Sequence, residues 1–319
     1  MPELDPEMRA HQAAYDAIAA EYPPILLQEP FDPHRAVNDA VNTRISPGGP
    51  AMADSADRWV LARGRRVLCR VHRPCTDGAL PALVYFHGGG WVWSSVDTHD
   101  RLAREYAAAS GCAVVLVDYA LSPEARFPRA LLECAAVVRW IAAHGADWGL
   151  DGARVAVGGD SAGGNLALGT ALLLRDEDGP DLHKTPLRGV LTSYPVCDSR
   201  FDTASYRAFG GGEYWLSEAK MRFYWSVYAG HEADRVHPLA APLRARLEGL
   251  PPVLVFLAEL DPLRSEGEAM AARLRDAGVA TEFAVLPGTI HGFIRATERV
   301  AKAREAVARG GAWRRGILA

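Results

Sequence analysis

The chain of 319 residues lacks several features that would place it in specialised classes of protein. No apolar run approaches the roughly 20 residues of a membrane-spanning helix, so we expect no contact with a membrane. Basic residues do not exceed acidic ones, and the formal net charge of -4 argues against nucleic-acid binding. The five cysteines are odd in number and follow no spacing pattern, which predicts free, buried thiols rather than a disulfide framework.

Two further absences concern targeting and metals. The opening residues MPELDPEMR lack the basic-then-apolar pattern of a secretion signal, which together with free thiols predicts a cytoplasmic protein. No pair of the ten histidines stands at metal-binding spacing, so we expect neither a metal nor another cofactor. Five histidines are expected at the solvated surface: His99, His144, His183, His231 and His237.

Strands alternate with helices from about residue 58 onwards, and 49% of all residues are hydrophobic, enough for a large core. This alternation predicts an α/β fold with a mostly parallel central sheet and helices on both faces. The first two strands, 58–62 and 66–72, meet at a tight turn and should form an antiparallel edge pair. A helix is predicted within 5–22, whereas the Pro-, Gly-, Asp- and Asn-rich residues 30–55 are predicted to be irregular.

The most informative segment is VAVGGDSAGGNLA at 155–167, in which a short apolar strand, a sharp turn and a helix-compatible run follow one another. A serine on such a turn projects its hydroxyl out of the fold, and the flanking glycines leave room where a Cβ would collide. The Gly-x-Ser-x-Gly pattern is weak alone, but this strand–turn–helix setting is the one it requires. We therefore interpret Ser161 as a nucleophile. A phosphate-binding loop is disfavoured because no Gly-Lys-Ser/Thr follows.

A second strand, 80–86, runs directly into three consecutive glycines, Gly88, Gly89 and Gly90. Such a run is costly in backbone entropy and makes sense where main-chain N–H groups must approach a ligand closely. An acyl-transfer enzyme needs such donors to hold the oxyanion of its tetrahedral intermediate, each worth roughly 3–4 kcal/mol. The glycines therefore fit the chemistry suggested by Ser161.

A serine nucleophile also needs a base and a carboxylate that orients the base. Asp261 follows an apolar strand at 252–258, and His291 follows another at 281–286. The chain order Ser, Asp, His is that of the α/β-hydrolase triad. Loops after parallel strands converge at one edge of a sheet, so the long sequence separations are no obstacle.

With these motifs in this order, the sequence resembles the hormone-sensitive-lipase family of α/β-hydrolases, the bacterial type IV esterases. The matching motifs cover nearly the whole chain: HGGG at 87–90, GDSAGG at 159–164, DPL at 261–263 and HGF at 291–293. One departure stands out, because Ser265 occupies a position where the family usually carries an acid. We expect this change to weaken the anchoring of the loop without removing a triad member.

The resemblance implies a role for each matched residue. Ser161 would be the nucleophile, His291 the general base and Asp261 its partner. The backbone N–H groups of Gly89, Gly90 and Ala162 would form the oxyanion hole, and His87 with Gly88 would support that loop. Asp118, which ends another strand, resembles a structural acid of the family and is interpreted as structural.

Nine aromatic residues fall within 201–228, where the alternation of strands and helices is interrupted. We expect one domain over 1–319, in which about 1–50 and 197–230 form a helical cap over an apolar acyl-binding cleft. The substrate pocket is predicted to involve Trp91, Trp93, Tyr214 and Trp215. If the segment after the glycines is extended, Trp91 and Trp93 lie on one side and narrow the acyl end of the pocket.

These residues together predict a serine carboxylic-ester hydrolase that acts on small, short-chain acyl esters through an acyl-enzyme intermediate. The same residues would also serve an amidase, a lactonase or a biosynthetic deacylase of narrow specificity. A non-catalytic receptor on this fold is disfavoured because such receptors lack the catalytic histidine, present here as His291. Members of the family often pair through the edge of the last strand, so a homodimer through about 281–286 is a further expectation.

Overall fold

An eight-stranded sheet organises the part of the chain that the computed structural model describes, residues 2–178, 185 and 187–318. Its strands are β1 (Asp54–Ala62), β2 (Arg65–Arg73), β3 (Leu80–Phe86), β4 (Ala113–Val117), β5 (Leu150–Asp160), β6 (Leu187–Ser193), β7 (Val253–Leu260) and β8 (Thr281–Ile290). Their order across the sheet is β1-β2-β4-β3-β5-β6-β7-β8. The pairs β1/β2 and β2/β4 are antiparallel and all other neighbours are parallel. The predicted sheet, including its antiparallel edge pair, is confirmed.

Helices cover both faces of this sheet. Within the described residues they are α1 (Pro6–Ala19), α2 (Phe31–Ile45), α3 (Asp100–Ser110), α4 (Arg129–His144), α5 (Ala162–Asp178), α6 (Ala204–Phe209), α7 (Glu218–Tyr228), α8 (Glu232–Arg235), α9 (Arg264–Asp276) and α10 (Ala301–Leu318). None of them is long and apolar enough to cross a membrane. All five cysteines are free thiols, and four of these are buried.

The sheet separates two hydrophobic cores, because successive side chains of a strand point to opposite faces. In β3, Val84 and Phe86 pack into a core shared with α4, α5 and α9. The intervening Leu83 and Tyr85 pack into a second core shared with α3 and α10. Burial on both faces explains why the central strands are almost continuously apolar rather than alternating.

The helix α2 corrects the prediction that residues 30–55 are irregular. Pro33 lies in its first turn, where a missing N–H breaks no helical hydrogen bond. Val41 and Ile45 are buried and give the helix an apolar side that packs on the rest of the molecule. Tertiary packing therefore overrides a composition that by itself disfavours a helix.

The order of the strands fixes where the functional loops meet. The four strands from β5 to β8 are adjacent and parallel, so their carboxyl ends lie at the same end of the sheet. Ser161 directly follows β5, Asp261 follows β7 and His291 follows β8. Three residues that are distant in sequence therefore converge at the carboxyl ends of these strands, the usual location of ligand sites in α/β sheets.

Candidate active site

The side chains of Ser161, His291 and Asp261 form a continuous hydrogen-bonded chain. His291 Nε2 lies 2.9 Å from Ser161 Oγ, and His291 Nδ1 lies 2.8 Å from Asp261 Oδ2. The Asp261 side chain is fully buried, and its other oxygen accepts the N–H of Leu263 at 2.9 Å. This arrangement suits an imidazole that donates its Nδ1 proton to Asp261 and turns the lone pair of Nε2 towards the serine hydroxyl. A general base needs this tautomer.

The backbone at Ser161 is strained in the way a nucleophile-bearing turn requires. Its φ of 54° lies in the left-handed region, which residues other than glycine rarely adopt. A Cβ on Gly163 would collide with the carbonyl oxygen of Phe86, and one on Gly159 with the backbone of Gly163. Only glycine fits at these two positions, which lets the turn close tightly and present the hydroxyl.

The glycine loop after β3 also depends on glycine. Gly89 and Gly90 have φ of 123° and 61°, and a Cβ on Gly90 would lie 2.6 Å from the ring of Tyr224. Neither their N–H groups nor that of Ala162 donate to a backbone carbonyl within the described part of the chain. Ala162 also begins α5, whose N-terminal end carries partial positive charge. These donors and this dipole suit an oxyanion next to Ser161.

The buried carboxylate of Asp160 anchors the glycine loop by a hydrogen bond. Its Oδ1 accepts the N–H of Gly88 and the hydroxyl of Tyr85, both at 3.1 Å, and lies 3.2 Å from His99 Nε2. Burial alone would raise the pKa of Asp160, but His99, Arg295 and the Tyr85 hydroxyl together lower it to about 2. The carboxylate is therefore ionised at neutral pH and links the glycine loop to the serine turn.

Replacing Asp160 with asparagine should lower the unfolding free energy at pH 7 by about 1.5–3 kcal/mol, the usual worth of a hydrogen bond to a charged group. Because the folded pKa lies below the unfolded one, this stabilisation is present above about pH 4 and is lost as the pH falls towards 2. Urea unfolding of both proteins at pH 7 and pH 3 should therefore show a smaller difference at pH 3. An equal difference at both pH values would contradict an ionised Asp160.

His99 corrects the prediction that it lies at the solvated surface. It precedes α3 and is buried, with its ring centroid 5.6 Å from that of His87 and 6.4 Å from that of Tyr85. The chain passes behind the glycine loop at this point, and the His99 side chain is therefore enclosed next to Asp160. His144, His231 and His237 are exposed as expected, and His183 lies outside the described residues.

His87 is in a position to support the loop. Its ring stacks on Tyr119 with centroids 4.3 Å apart, and its Nδ1 lies 2.9 Å from the carbonyl oxygen of Gly88. The Tyr119 hydroxyl donates to the carbonyl of His87 at 2.7 Å. Burial lowers the pKa of His87 to about 3, so the imidazole is neutral. These contacts fit a role in ordering the glycine loop rather than in proton transfer.

A cavity of about 210 Å³ opens beside Ser161. The first two helices contribute Tyr15, Asn38 and Asn42 to its wall. The segment at 215–224 contributes Trp215, Leu216, Lys220 and Tyr224, and the glycine loop and the loop after β8 contribute Trp93 and Arg295. Side chains from both segments that were predicted to form a cap therefore reach the cavity.

Two of the four predicted pocket residues line this cavity, namely Trp93 and Trp215, and two do not. Trp91 is fully buried and stacks face to face on Tyr228, with ring centroids 4.0 Å apart. The prediction assumed an extended segment, but the chain turns here, with the N–H of Trp93 bonded to the carbonyl of Gly89 at 2.9 Å. The two tryptophans therefore do not share a side.

Tyr214 is the second predicted pocket residue that does not line the cavity. Its ring meets Phe209 edge to face at 5.9 Å and packs against the second core, to which α3 and α10 contribute. The neighbouring Trp215 has a φ of 69°, so the backbone turns sharply between the two aromatic side chains. As a result only Trp215 reaches the cavity.

Sequence reasoning missed several wall residues. Asn38 and Asn42 stand one helical turn apart and would have indicated a shared face had α2 been recognised. Tyr194 follows β6, and its ring lies 4.6 Å from that of His291. Arg295 lies four positions after His291, but nothing in a single sequence indicates that a short helical turn directs it into the cavity.

Ser265, which we expected to weaken the anchoring of the loop that carries Asp261, itself takes part in hydrogen bonds beside that loop. Ser265 and Ser205 exchange two hydrogen bonds, since each backbone N–H donates to the other residue's hydroxyl oxygen, at 3.0 and 3.1 Å. The Ser205 hydroxyl also donates to the carbonyl of Pro262 at 2.6 Å. A pair of serines thus provides local hydrogen bonds where the acid of related proteins is missing.

Asp118 lies away from the triad, and its surroundings fit a structural acid. Its carboxylate is 3.6 Å from the guanidinium of Arg65, which also pairs with Glu133 at 3.0 Å. The Glu133 side chain is fully buried and receives a second ion pair from Arg129. Asp118 therefore belongs to a charged network beside α4.

Known proteins resemble this chain in sequence and in structure. Residues 83–295 match the Abhydrolase_3 family, described as an alpha/beta hydrolase fold. The carboxylic ester hydrolase LipN of Mycobacterium tuberculosis is 37% identical over 78% of this chain and 66% of its own length. The ethyl acetate hydrolase of Pseudomonas putida is 35% identical over 76% of each chain. A hyperthermophilic esterase from Pyrobaculum calidifontis superposes with a TM-score of 0.89 at 34% identity, with 99% of each chain covered.

The chain therefore belongs to the α/β-hydrolase family, in the hormone-sensitive-lipase-like group that its motifs resemble. It is a carboxylic ester hydrolase.

Proposed function

We propose that Ser161 attacks the carbonyl carbon of the ester while His291 takes the hydroxyl proton. The observation that carries this proposal is the 2.9 Å contact between Ser161 Oγ and His291 Nε2, with Nδ1 held by Asp261. His291 then returns the proton to the leaving alcohol, which gives an acyl-enzyme. A water molecule activated by the same imidazole releases the acid and restores Ser161. Every proton transfer uses side chains of this chain, and the mechanism requires no cofactor.

The N–H groups of Gly89, Gly90 and Ala162 would hold the oxyanion that forms in both steps. Three observations support this. Gly89 and Gly90 have a left-handed backbone, the N–H groups of all three residues lack backbone acceptors among the described residues, and Ala162 lies at the positively polarised start of α5. Donors that are fixed before the reaction stabilise the developing charge without reorganisation. Asp160 and His87 would keep the loop in place.

The cavity supports a small acyl group. Its volume of 210 Å³ is smaller than the roughly 300–1,000 Å³ of pockets that hold drug-sized ligands. Part of its wall is apolar and is formed by Trp93, Leu216 and Tyr224. One of the relatives is named for ethyl acetate, a two-carbon acyl ester. We propose acyl chains of about two to six carbons, enclosed by a cap formed by about 1–50 and 197–230.

A series of p-nitrophenyl esters from acetate to palmitate tests the acyl preference. Each added methylene contributes at most about 0.8 kcal/mol until the wall is reached, after which kcat/KM should fall. Trp93→Ala should move the optimum to longer chains. Trp59→Ala is the matched control, because Trp59 is 51% exposed on β1, and it should leave the optimum unchanged. A wild-type maximum at twelve carbons or more would contradict the proposal.

The cellular compartment and the oligomeric state of the enzyme are further proposals. Five free thiols fit the reducing cytoplasm. The last strand, β8, is at an edge of the sheet, where its unpaired backbone groups could bond to the same strand of a second copy. We propose a cytoplasmic homodimer formed through this edge, and a monomeric mass in light scattering would contradict the dimer.

A further inference from the structure

Two basic side chains line the cavity beside Ser161. Arg295 lies on a short helical turn, Phe293–Arg295, directly after the His291 loop, and it is half-buried. Lys220 lies on α7 at the rim of the cavity and is more exposed. Neither residue takes part in the proposed proton transfers, and a neutral ester would not require two positive charges next to it.

Neither cation has an acid partner in the described part of the chain. No carboxylate lies within 4.0 Å of the charged groups, and both use neutral oxygen acceptors instead. The Arg295 guanidinium donates to Asn42 Oδ1 at 2.9 Å, and the Lys220 ammonium donates to the carbonyl of Trp215 at 2.8 Å. By contrast, Arg70 has Asp57, Asp97 and Asp100 within 3.3 Å. Besides these two cations the described residues of the cavity wall hold one ionised acid, Asp160, which leaves an excess of positive charge.

Two acids act on Arg295 only at longer range. Asp160 already bonds to Gly88 and Tyr85 beneath the loop. Asp39 is partly enclosed, and burial raises its pKa. Burial of the side chain also lowers the pKa of Lys220, and no anion among the described residues offsets this effect. An anionic ligand would compensate the remaining positive charge.

We propose that the preferred substrate is a small carboxylic ester that also carries a carboxylate, which Arg295 binds while Lys220 adds positive charge at the rim. A planar guanidinium can bind a carboxylate through two parallel hydrogen bonds, whereas an ammonium acts as a point charge. Trp93, Leu216 and Tyr224 would contact the hydrocarbon part. The proposal rests on the proposed role of Ser161. Water still cleaves the ester into an acid and an alcohol, and the second carboxylate is unchanged.

Two pairs of nearly isosteric esters test this preference, one for each side of the ester bond. Monomethyl succinate and methyl succinamate differ only in a carboxylate or carboxamide on the acyl side. The esters 3-acetoxybenzoate and 3-acetoxybenzamide differ in the same way on the alcohol side. In a pH-stat, kcat/KM should favour the carboxylate at least tenfold in one pair, and added NaCl should reduce this ratio.

Arg295→Gln should lower the carboxylate-to-carboxamide ratio of the preferred pair at least tenfold, and Lys220→Gln should lower it less. Arg299→Gln is the matched control. It removes the same charge four positions after Arg295, and the Arg299 side chain is exposed and does not line the cavity. It should leave the ratio unchanged. A measurement without variants is inhibition of p-nitrophenyl acetate hydrolysis, in which succinamate, with one carboxylate, should inhibit at lower concentration than neutral succinamide.

The outcomes separate this inference from the proposed function. If wild type hydrolyses the neutral esters, Ser161→Ala does not, and both ratios are near one, the anionic preference is wrong while the mechanism stands. Equal inhibition by succinamate and succinamide leads to the same conclusion. If ester hydrolysis does not depend on Ser161, the proposed function itself is wrong.

Discussion

Replacing Ser161 with alanine should abolish ester hydrolysis while the protein stays folded. The change removes one oxygen atom, which bonds to His291 at 2.9 Å and which we propose as the nucleophile. Residues of a triad act as a unit, so kcat for p-nitrophenyl acetate should fall on the order of 10⁴–10⁶-fold. Removing the hydroxyl relieves no backbone strain, since the φ of 54° is retained, so circular dichroism should be unchanged.

The matched control is Ser226→Ala, which makes the same chemical change on the exposed side of α7. Its hydroxyl donates only to the local carbonyl of Phe223, at 2.7 Å. Activity of this variant should stay near that of wild type. If Ser161→Ala retained activity within tenfold of wild type, with an unchanged circular dichroism spectrum, another nucleophile would have to be sought.

Much of the fold could be predicted because local pattern and global packing agree. The strand predicted at 80–86 is β3 as observed, and the strand predicted at 66–72 is β2, which is one residue longer at each end. The first is an apolar run that ends just before the glycines at 88–90, and the second begins just after the turn at 63–64. The order of Ser161, Asp261 and His291 was also informative, because each follows an apolar strand and adjacent parallel strands bring such loops together.

Features that depend on tertiary contacts were harder to predict. The helix α2 was missed because its polar composition hides a narrow apolar side that becomes meaningful only against the rest of the molecule. His99 was placed at the surface because histidine is of polar type. Its burial follows from the path of the chain under the glycine loop, beside Asp160, which a single sequence does not reveal.

Pocket residues were the least predictable because they depend on backbone turns of one residue. Trp91 has a φ of 62°, and this one dihedral turns its ring into the core rather than towards the cavity. Similarly, Lys220 and Arg295 lie 75 positions apart and meet at one cavity only in the folded chain. No spacing rule connects them, so the positive charge of the cavity is a finding of the structure alone.

Replacing Asp261 with asparagine should leave Ser161 and the fold in place but lower kcat about 10³–10⁴-fold, by analogy with triads in which this change has been made. The amide oxygen can still accept the N–H of Leu263, which places the amide NH₂ group against His291 Nδ1. Nδ1 must then accept a proton rather than donate one, so Nε2 carries the hydrogen and can no longer take the serine proton.

The control for this change is Asp118→Asn, which alters another strand-end acid in the network of Arg65 and Glu133. It should act mainly on stability, because removing the charge weakens an ion pair without touching the triad, and kcat should stay close to wild type. Steady-state kinetics and urea unfolding of both variants distinguish the two roles. If Asp118→Asn removed activity and Asp261→Asn only lowered stability, the orienting carboxylate would be Asp118, and the loop after β7 would be structural.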